Sequence, residues 1–171
     1  MSRRILVIDD DQSMCELLQE SLQRGGWEVV WRLRAEEGLE LVREQNFDVV
    51  ITDVNLEHMS GHDLCRNLTE NRPDTPVIVI TAFGNMSSAI AAIRAGAYDF
   101  INKPIDMTQL AHVIERAVQH RHLREEVKRL REALGAAGVM VETVRGAGYR
   151  LTTQVTVRPA SLEPVSTQAA P

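Results

Sequence analysis

A five-stranded parallel sheet with helices on both faces is the fold class predicted for this chain, and three observations predict it. Short apolar runs recur five times within the first 120 residues. Each is followed by a stretch whose apolar residues fall three and four apart, the period of a helix. Three of the runs are unbroken Val/Ile-rich stretches without polar alternation, as in parallel strands covered on both sides. Strand and helix alternating in this way is the pattern of a doubly wound α/β domain.

The three buried runs are "RILVI" (4–8), "DVVIT" (48–52) and "PVIVIT" (76–81), and "EVVW" (28–31) and "DFIN" (99–102) supply the other two strands. Met14, Leu17, Leu18 and Leu22 form the first helical stripe, closed by Gly25 and Gly26 as a stop signal. Leu39 and Val42 mark the second helix, and Leu64 and Leu68 the third. Ile90 and Ile93, set among alanines, mark the fourth, which ends at Gly96. Leu110, Val113, Ile114 and Ala117 begin the fifth.

That last helix runs on. His120, Leu123, Val127, Leu130 and Leu134 continue at spacings of three and four, which reads either as a coiled-coil seam or as a solvated single helix. Gly135 and Gly138 stop it, and "VMVETVRGAGYRL" (139–151) reads as a β-hairpin. From Thr152 the chain is Thr, Ser, Pro, Ala and Gln with one arginine and no aromatic, which predicts a disordered tail. The expected organisation is a domain over 1–120, a helical extension over 121–135, a hairpin over 136–151 and the tail over 152–171.

Composition narrows the function. With 44% hydrophobic and 25% charged residues the chain is globular, and a net charge of −5 argues against general coating of nucleic acid. Aromatics are only 4%, too few for a base-stacking platform. Cys15 and Cys65 show no disulfide spacing and read as reduced core or boundary thiols. The N-terminal apolar run is too short for a secretory leader, and nothing approaches the roughly 20 apolar residues of a membrane span. The expected location is cytoplasmic, without membrane association.

Chemistry gathers at the strand ends, where open parallel sheets bind ligands. Asp9 and Asp10 follow the first strand, Asp53 the third, Thr81 the fourth and Lys103 the fifth. Singly, these are ordinary residues: a helix-starting acid, a turn aspartate, a threonine cap, a loop lysine. Jointly they place three carboxylates, a hydroxyl and an ammonium on one rim. Oxygen-only ligands suit Mg²⁺, which lets crowded acids stay ionised. Such a site favours attack by a carboxylate on a phosphoryl group, with Thr81 and Lys103 at the phosphoryl oxygens. Asp11, by contrast, reads as the start of the first helix.

The segments "ILVIDDD", "DVVITDVNLEHMSGHDL", "PVIVITAFG" and "AGAYDFINKPID" occur in order at the spacing of one family. Residues 3–120 thereby resemble the receiver domain of a bacterial two-component response regulator, which has a flavodoxin-like fold. The resemblance implies that Asp53 is the phosphoacceptor, supplied by a sensor histidine kinase or a small phosphodonor. It implies Mg²⁺ held by Asp10, Asp53 and the backbone carbonyl of Asn55, with Asp9 acting largely through water. Thr81 and Lys103 would contact the phosphoryl group, and Phe100 occupies the switch-aromatic position. The face of the fourth helix, fifth strand and fifth helix would change on phosphorylation. Asn55 and Phe83 would flank the path of a hydrolytic water. Glu57 departs from the family, which usually has Pro there. The resemblance describes a switch with self-catalysed phosphoryl transfer and hydrolysis, not a turnover enzyme.

Two rival readings come from the same residues. Asp9-x-Asp11 resembles the start of a haloacid-dehalogenase-like, Mg²⁺-dependent phosphatase, although the later acidic pair that such enzymes need is missing. His58 with His62, and His120 with His122, invite a metal reading, but no third or fourth ligand is evident.

At the output end, the 107–134 helix resembles the extended last helix of receivers in nitrogen-regulator-type activators, though the 171 residues contain no glycine-rich Walker loop. "VKRLREAL" and "VETVRGAGYRL" resemble the end of a winged-helix DNA-binding domain. Arg121, Arg124, Lys128, Arg129, Arg131, Arg145 and Arg150 are its candidate phosphate contacts. A vestigial or spliced remnant is the favoured reading, because so small a fragment rarely folds alone. A homodimer through the helical extension, or through the fourth-helix, fifth-strand and fifth-helix face, completes the partner expectations.

Overall fold

The computed structural model of the protein describes residues 3–57, 59–82, 86–136, 139–144 and 148–153. In chain order the elements are β1 (Arg4–Ile8), α1 (Gln12–Arg24), β2 (Glu28–Arg32), α2 (Ala35–Glu44), β3 (Val49–Asp53), α3 (Gly61–Asn71), β4 (Val77–Ala82), α4 (Met86–Arg94), β5 (Asp99–Lys103) and α5 (Met107–Ala136). The five strands form one sheet in the order β2-β1-β3-β4-β5, every neighbouring pair parallel. The predicted α/β class and each predicted strand are therefore present, with ends shifted by a residue at most.

The apolar runs form strands because side chains on both faces of the sheet are buried. Along β1, Ile5 and Val7 face one core and Leu6 and Ile8 the other. Along β4, Ile78 and Ile80 alternate with Val77 and Val79 in the same way. The first core is closed by α1 and α5, through Cys15, Leu18, Leu22, Leu110 and Ile114. The second is closed by α2, α3 and α4, through Val42, Leu64, Leu68 and Ala92.

Two expected helix faces are corrected. In α1 the core stripe is Cys15, Leu18 and Leu22, while Leu17 is exposed. In α4 the expected stripe of Ile90 and Ile93 lies outside, 45% and 48% exposed, and Ala89 and Ala92 face the core. Both pairs are three apart, so periodicity alone does not choose between them. The small alanines let the helix lie close to the sheet.

Side chains and turns satisfy several of the helix ends. Asp11 caps α1, accepting from the backbone N–H groups of Ser13 (2.9 Å) and Met14 (3.3 Å). Gly26, at φ +82, turns the chain away at the other end, a backbone angle that glycine adopts without strain. Arg72 donates to the Val42 and Arg43 carbonyls at 3.0 Å each and closes the C-terminus of α2. On the edge strand β2, Gln19 donates to the Val29 carbonyl (3.3 Å) and Arg32 to the Trp31 carbonyl (2.7 Å). Both carbonyls are thus engaged by side chains and not by a further strand.

The chain divides into two compact units, Met1–Glu126 and Val127–Pro171. In the second, β6 (Val139–Val144) and β7 (Gly148–Thr153) pair antiparallel. Arg145 and the predicted tail beyond Thr153 lie outside the described residues, as do His58 and Phe83. Leu123 and Leu130 of the proposed seam are exposed on α5. Among the described residues, no helix is long and apolar enough to cross a membrane.

Candidate functional site

The sheet order reverses at β1: the chain first steps outward to β2, then crosses back to β3 on the other side. A crevice opens at the carboxyl ends of β1 and β3 for that reason, since the crossovers leave in opposite directions. The acids identified in the sequence stand at this crevice. Asp9 is the first residue beyond β1, and its N–H still pairs with the Arg32 carbonyl at 3.2 Å. Its side chain is 1% exposed, and Oδ1 accepts from the Asp11 N–H at 2.9 Å. Asp53 ends β3, 5% exposed, with Oδ1 accepting from the Asn55 N–H at 3.0 Å. Asp10 is exposed to solvent.

One carboxylate oxygen from each of Asp9, Asp10 and Asp53 lies within 4.8 Å of the other two. Three hard oxygen donors with one exposed member fit a small divalent cation that keeps several waters. Among the described residues this is the only such cluster of His, Cys, Asp and Glu side chains. Burial is the main influence on Asp9 and raises its pKa above the usual aspartate value, with the Asp53 charge adding to the effect.

Lys103 reaches the cluster from the end of β5. Its Nζ bonds Asp53 Oδ2 and lies 3.4 Å from Asp9 Oδ2. Burial by itself would lower the ammonium pKa. The bond to Asp53 and the charges of Asp9 and Asp53 outweigh it, and Lys103 is held above the usual lysine value. Thr81 is buried in β4, in register with Asn102. Phe100 is half-buried on β5, opposite Val79, and packs against the second core.

The three adjacent acids have separate positions. Asp9 and Asp10 face the crevice, whereas Asp11 is spent on capping α1. Glu57 and Asp10 together line two grooves beside the crevice, of about 330 and 740 Å³. His62 does not join the acids: its ring bonds Ser60 and the Ser88 carbonyl. His122 lies 4.0 Å from Glu125 on α5. Arg121 is not a free cation either, since it bonds the Phe47 carbonyl, Asp48 and Glu125.

A contribution of Gly61 was not singled out from the sequence. Its N–H donates to the Val54 carbonyl at 2.8 Å, and a Cβ there would sit 2.2 Å from the Asp53 carbonyl oxygen and 2.6 Å from Val54 Cα. The first residue of α3 thus rests directly on the backbone of Asp53. The available signal was the Ser60-Gly61 pair following the strand.

Residues 5–115 match the response regulator receiver domain family. The chain is 37% identical over 118 residues to the transcriptional regulatory protein ZraR of Escherichia coli (strain K12), covering 69% of this chain and 27% of that protein. It therefore spans about a quarter of that relative's length. Among solved structures it is similar to a response regulator receiver domain protein from Clostridium thermocellum, at TM-score 0.68 and 32% identity, covering 71% of this chain and 98% of that one. It is also similar to the beryllofluoride-activated NtrC4 receiver domain dimer, at TM-score 0.66 and 31% identity, covering 69% and 98%. Neither this match nor the capping role of Asp11 supports the haloacid-dehalogenase reading.

Proposed function

The chain belongs to the response regulator receiver domain family, and on that footing we propose that it is a phosphorylation switch whose acceptor is Asp53. The observation behind this reading is the meeting of Asp9, Asp10, Asp53 and Lys103 at the crevice between β1 and β3. Mg²⁺ is the proposed cofactor, with Asp10, Asp53 and the Asn55 backbone carbonyl as direct ligands and Asp9 acting through water. When bound, it offsets carboxylate charge and withdraws charge from the phosphoryl oxygens.

An Asp53 oxygen attacks phosphorus. The bond from phosphorus to the donor's nitrogen or oxygen breaks, its electron pair leaves with the donor, and an acyl phosphate forms. Lys103 exchanges its bond to Asp53 for one to a phosphoryl oxygen, and the Thr81 hydroxyl donates to another. Self-hydrolysis returns Asp53 to the carboxylate, and Phe100 reports the state to the β5 face.

The donor is a sensor histidine kinase or a small phosphodonor, in the cytoplasm. The organisation proposed is a receiver over 1–120, a helical extension over 121–135, a hairpin module over 136–151 and a tail over 152–171. Output goes to a partner protein or, as in a transcriptional regulator such as ZraR, to DNA. A homodimer through the extension or through the α4-β5-α5 face is the assembly proposed, the NtrC4 receiver being a dimer.

Native mass spectrometry with Mg²⁺, with and without acetyl phosphate, tests the reading. One phosphoryl group per chain is expected, and none on Asp53→Asn. No adduct at any Mg²⁺ concentration, or an adduct that persists in Asp53→Asn, overturns the assignment.

A further inference from the structure

We infer that His62 is a positioning residue that couples the backbone of Asp53 to helix α4, an inference that rests on Asp53 being the phosphoacceptor. The contact path is short. Gly61 lies against the Asp53 carbonyl, so close that no Cβ fits, and its N–H bonds the Val54 carbonyl. His62 is the next residue. Its backbone N–H donates to Ser60 Oγ at 3.2 Å, and its ring crosses to α4, where Nε2 lies 3.3 Å from the Ser88 carbonyl. A carbonyl only accepts, so Nε2 carries the hydrogen, and Nδ1 is left to accept from the Ser60 hydroxyl at 3.4 Å. One imidazole thus ties the first turn of α3, seated on Asp53, to the first turn of α4.

The tie matters because α4 is weakly held by packing. It has nine residues, and over 87–94, where burial is described, the apolar side chains it buries are the small Ala89 and Ala92. Ile90 and Ile93 point outward, so among these described residues no large aliphatic side chain anchors the helix. Gly96, just past its end, packs on Thr69 of α3, with the site of a Cβ 2.9 Å from Thr69 Oγ1. Helix α3 therefore holds α4 near both ends, through His62 and through Thr69. A helix whose described residues bury so little area opens at low free energy, and the His62 tie adds to what positions it. A shift of the Asp53 backbone on phosphorylation would pass through Gly61 to His62 and change the seat of α4.

Hydrogen exchange read by mass spectrometry on the full chain, with and without acetyl phosphate and Mg²⁺, tests this in His62→Ala and His62→Gln. Exchange across 86–94 in unphosphorylated His62→Ala should rise by roughly five-fold, the factor that one net hydrogen bond supplies. The change in α4 exchange on phosphorylation should shrink by a similar factor, while adduct yield stays normal. His62→Gln, whose amide can still donate to the Ser88 carbonyl, should recover both effects. Normal adduct with unchanged α4 exchange in His62→Ala overturns the coupling alone. No adduct on the unsubstituted chain overturns the phosphoacceptor assignment, and the coupling falls with it.

Discussion

Lys103 bonds Asp53 across the intervening strand β4, and its ammonium is also 3.4 Å from Asp9. The cation from the last strand of the sheet offsets the charge of acids from two others. Without a divalent ion, it is the cation that offsets those acids.

Replacing it should expose that role. In Lys103→Met, Asp9 and Asp53 lose their common donor, and stability in EDTA should fall by about 1–3 kcal/mol. Mg²⁺ should then restore more stability to the variant than it adds to the unsubstituted chain, because the ion takes over the charge balance. Urea unfolding with and without Mg²⁺ measures both. Equal stability of the two proteins in EDTA would contradict the pairing.

Two glycines should respond differently to a methyl group. At Gly61 the added Cβ meets backbone, at 2.2 Å from the Asp53 carbonyl oxygen, and backbone cannot rotate away. At Gly38 it meets the side chain of the fully buried Ile8, with Cδ1 at 2.3 Å and Cγ1 at 2.8 Å, so Ile8 must repack within the second core. Gly61→Ala should cost about 2–3 kcal/mol. Gly38→Ala should cost less, about 1–2 kcal/mol, because a side chain can repack and alanine has the better helix propensity. Denaturant midpoints would decide, and a larger loss at Gly38 would contradict the packing described.

The buried thiols predict behaviour at high pH. Burial, with the negative charge of Asp9 close by, pushes Cys15 up from the usual 9.0 to about 12. Burial alone pushes Cys65 up to about 11. A folded pKa above the unfolded one means that the native state holds the proton more tightly. Stability should therefore fall as pH rises from about 9, where the unfolded thiols ionise, towards 11–12. Cys15→Ala should flatten that slope in thermal unfolding between pH 8 and 11. In the native protein at pH 8, neither thiol should react with iodoacetamide, and intact mass would reveal a labelled chain.

Much of this protein is legible one residue at a time, because burial period and side-chain chemistry are local properties. "ILVIDDD" already contains a strand, two site acids and a helix cap, and Asp53, Thr81 and Lys103 each end a recognisable strand. The sequence by itself thus determined the five strands, the five helices and the identity of the acids and the lysine that share the crevice. Only the tertiary structure decided which face of α4 is buried. Ile90 and Ile93 have the same spacing as Ala89 and Ala92, and the close approach of that helix to the sheet admits only the smaller pair. It likewise decided that Lys103 bonds Asp53, that Arg121 is tied to the start of β3 through Phe47 and Asp48, and that Gly61 touches the Asp53 backbone. The Lys103 and Arg121 contacts join segments that are distant in sequence and meet only when the sheet forms in the order β2-β1-β3-β4-β5, whereas the Gly61 contact depends on how the β3–α3 connection folds back on the strand end.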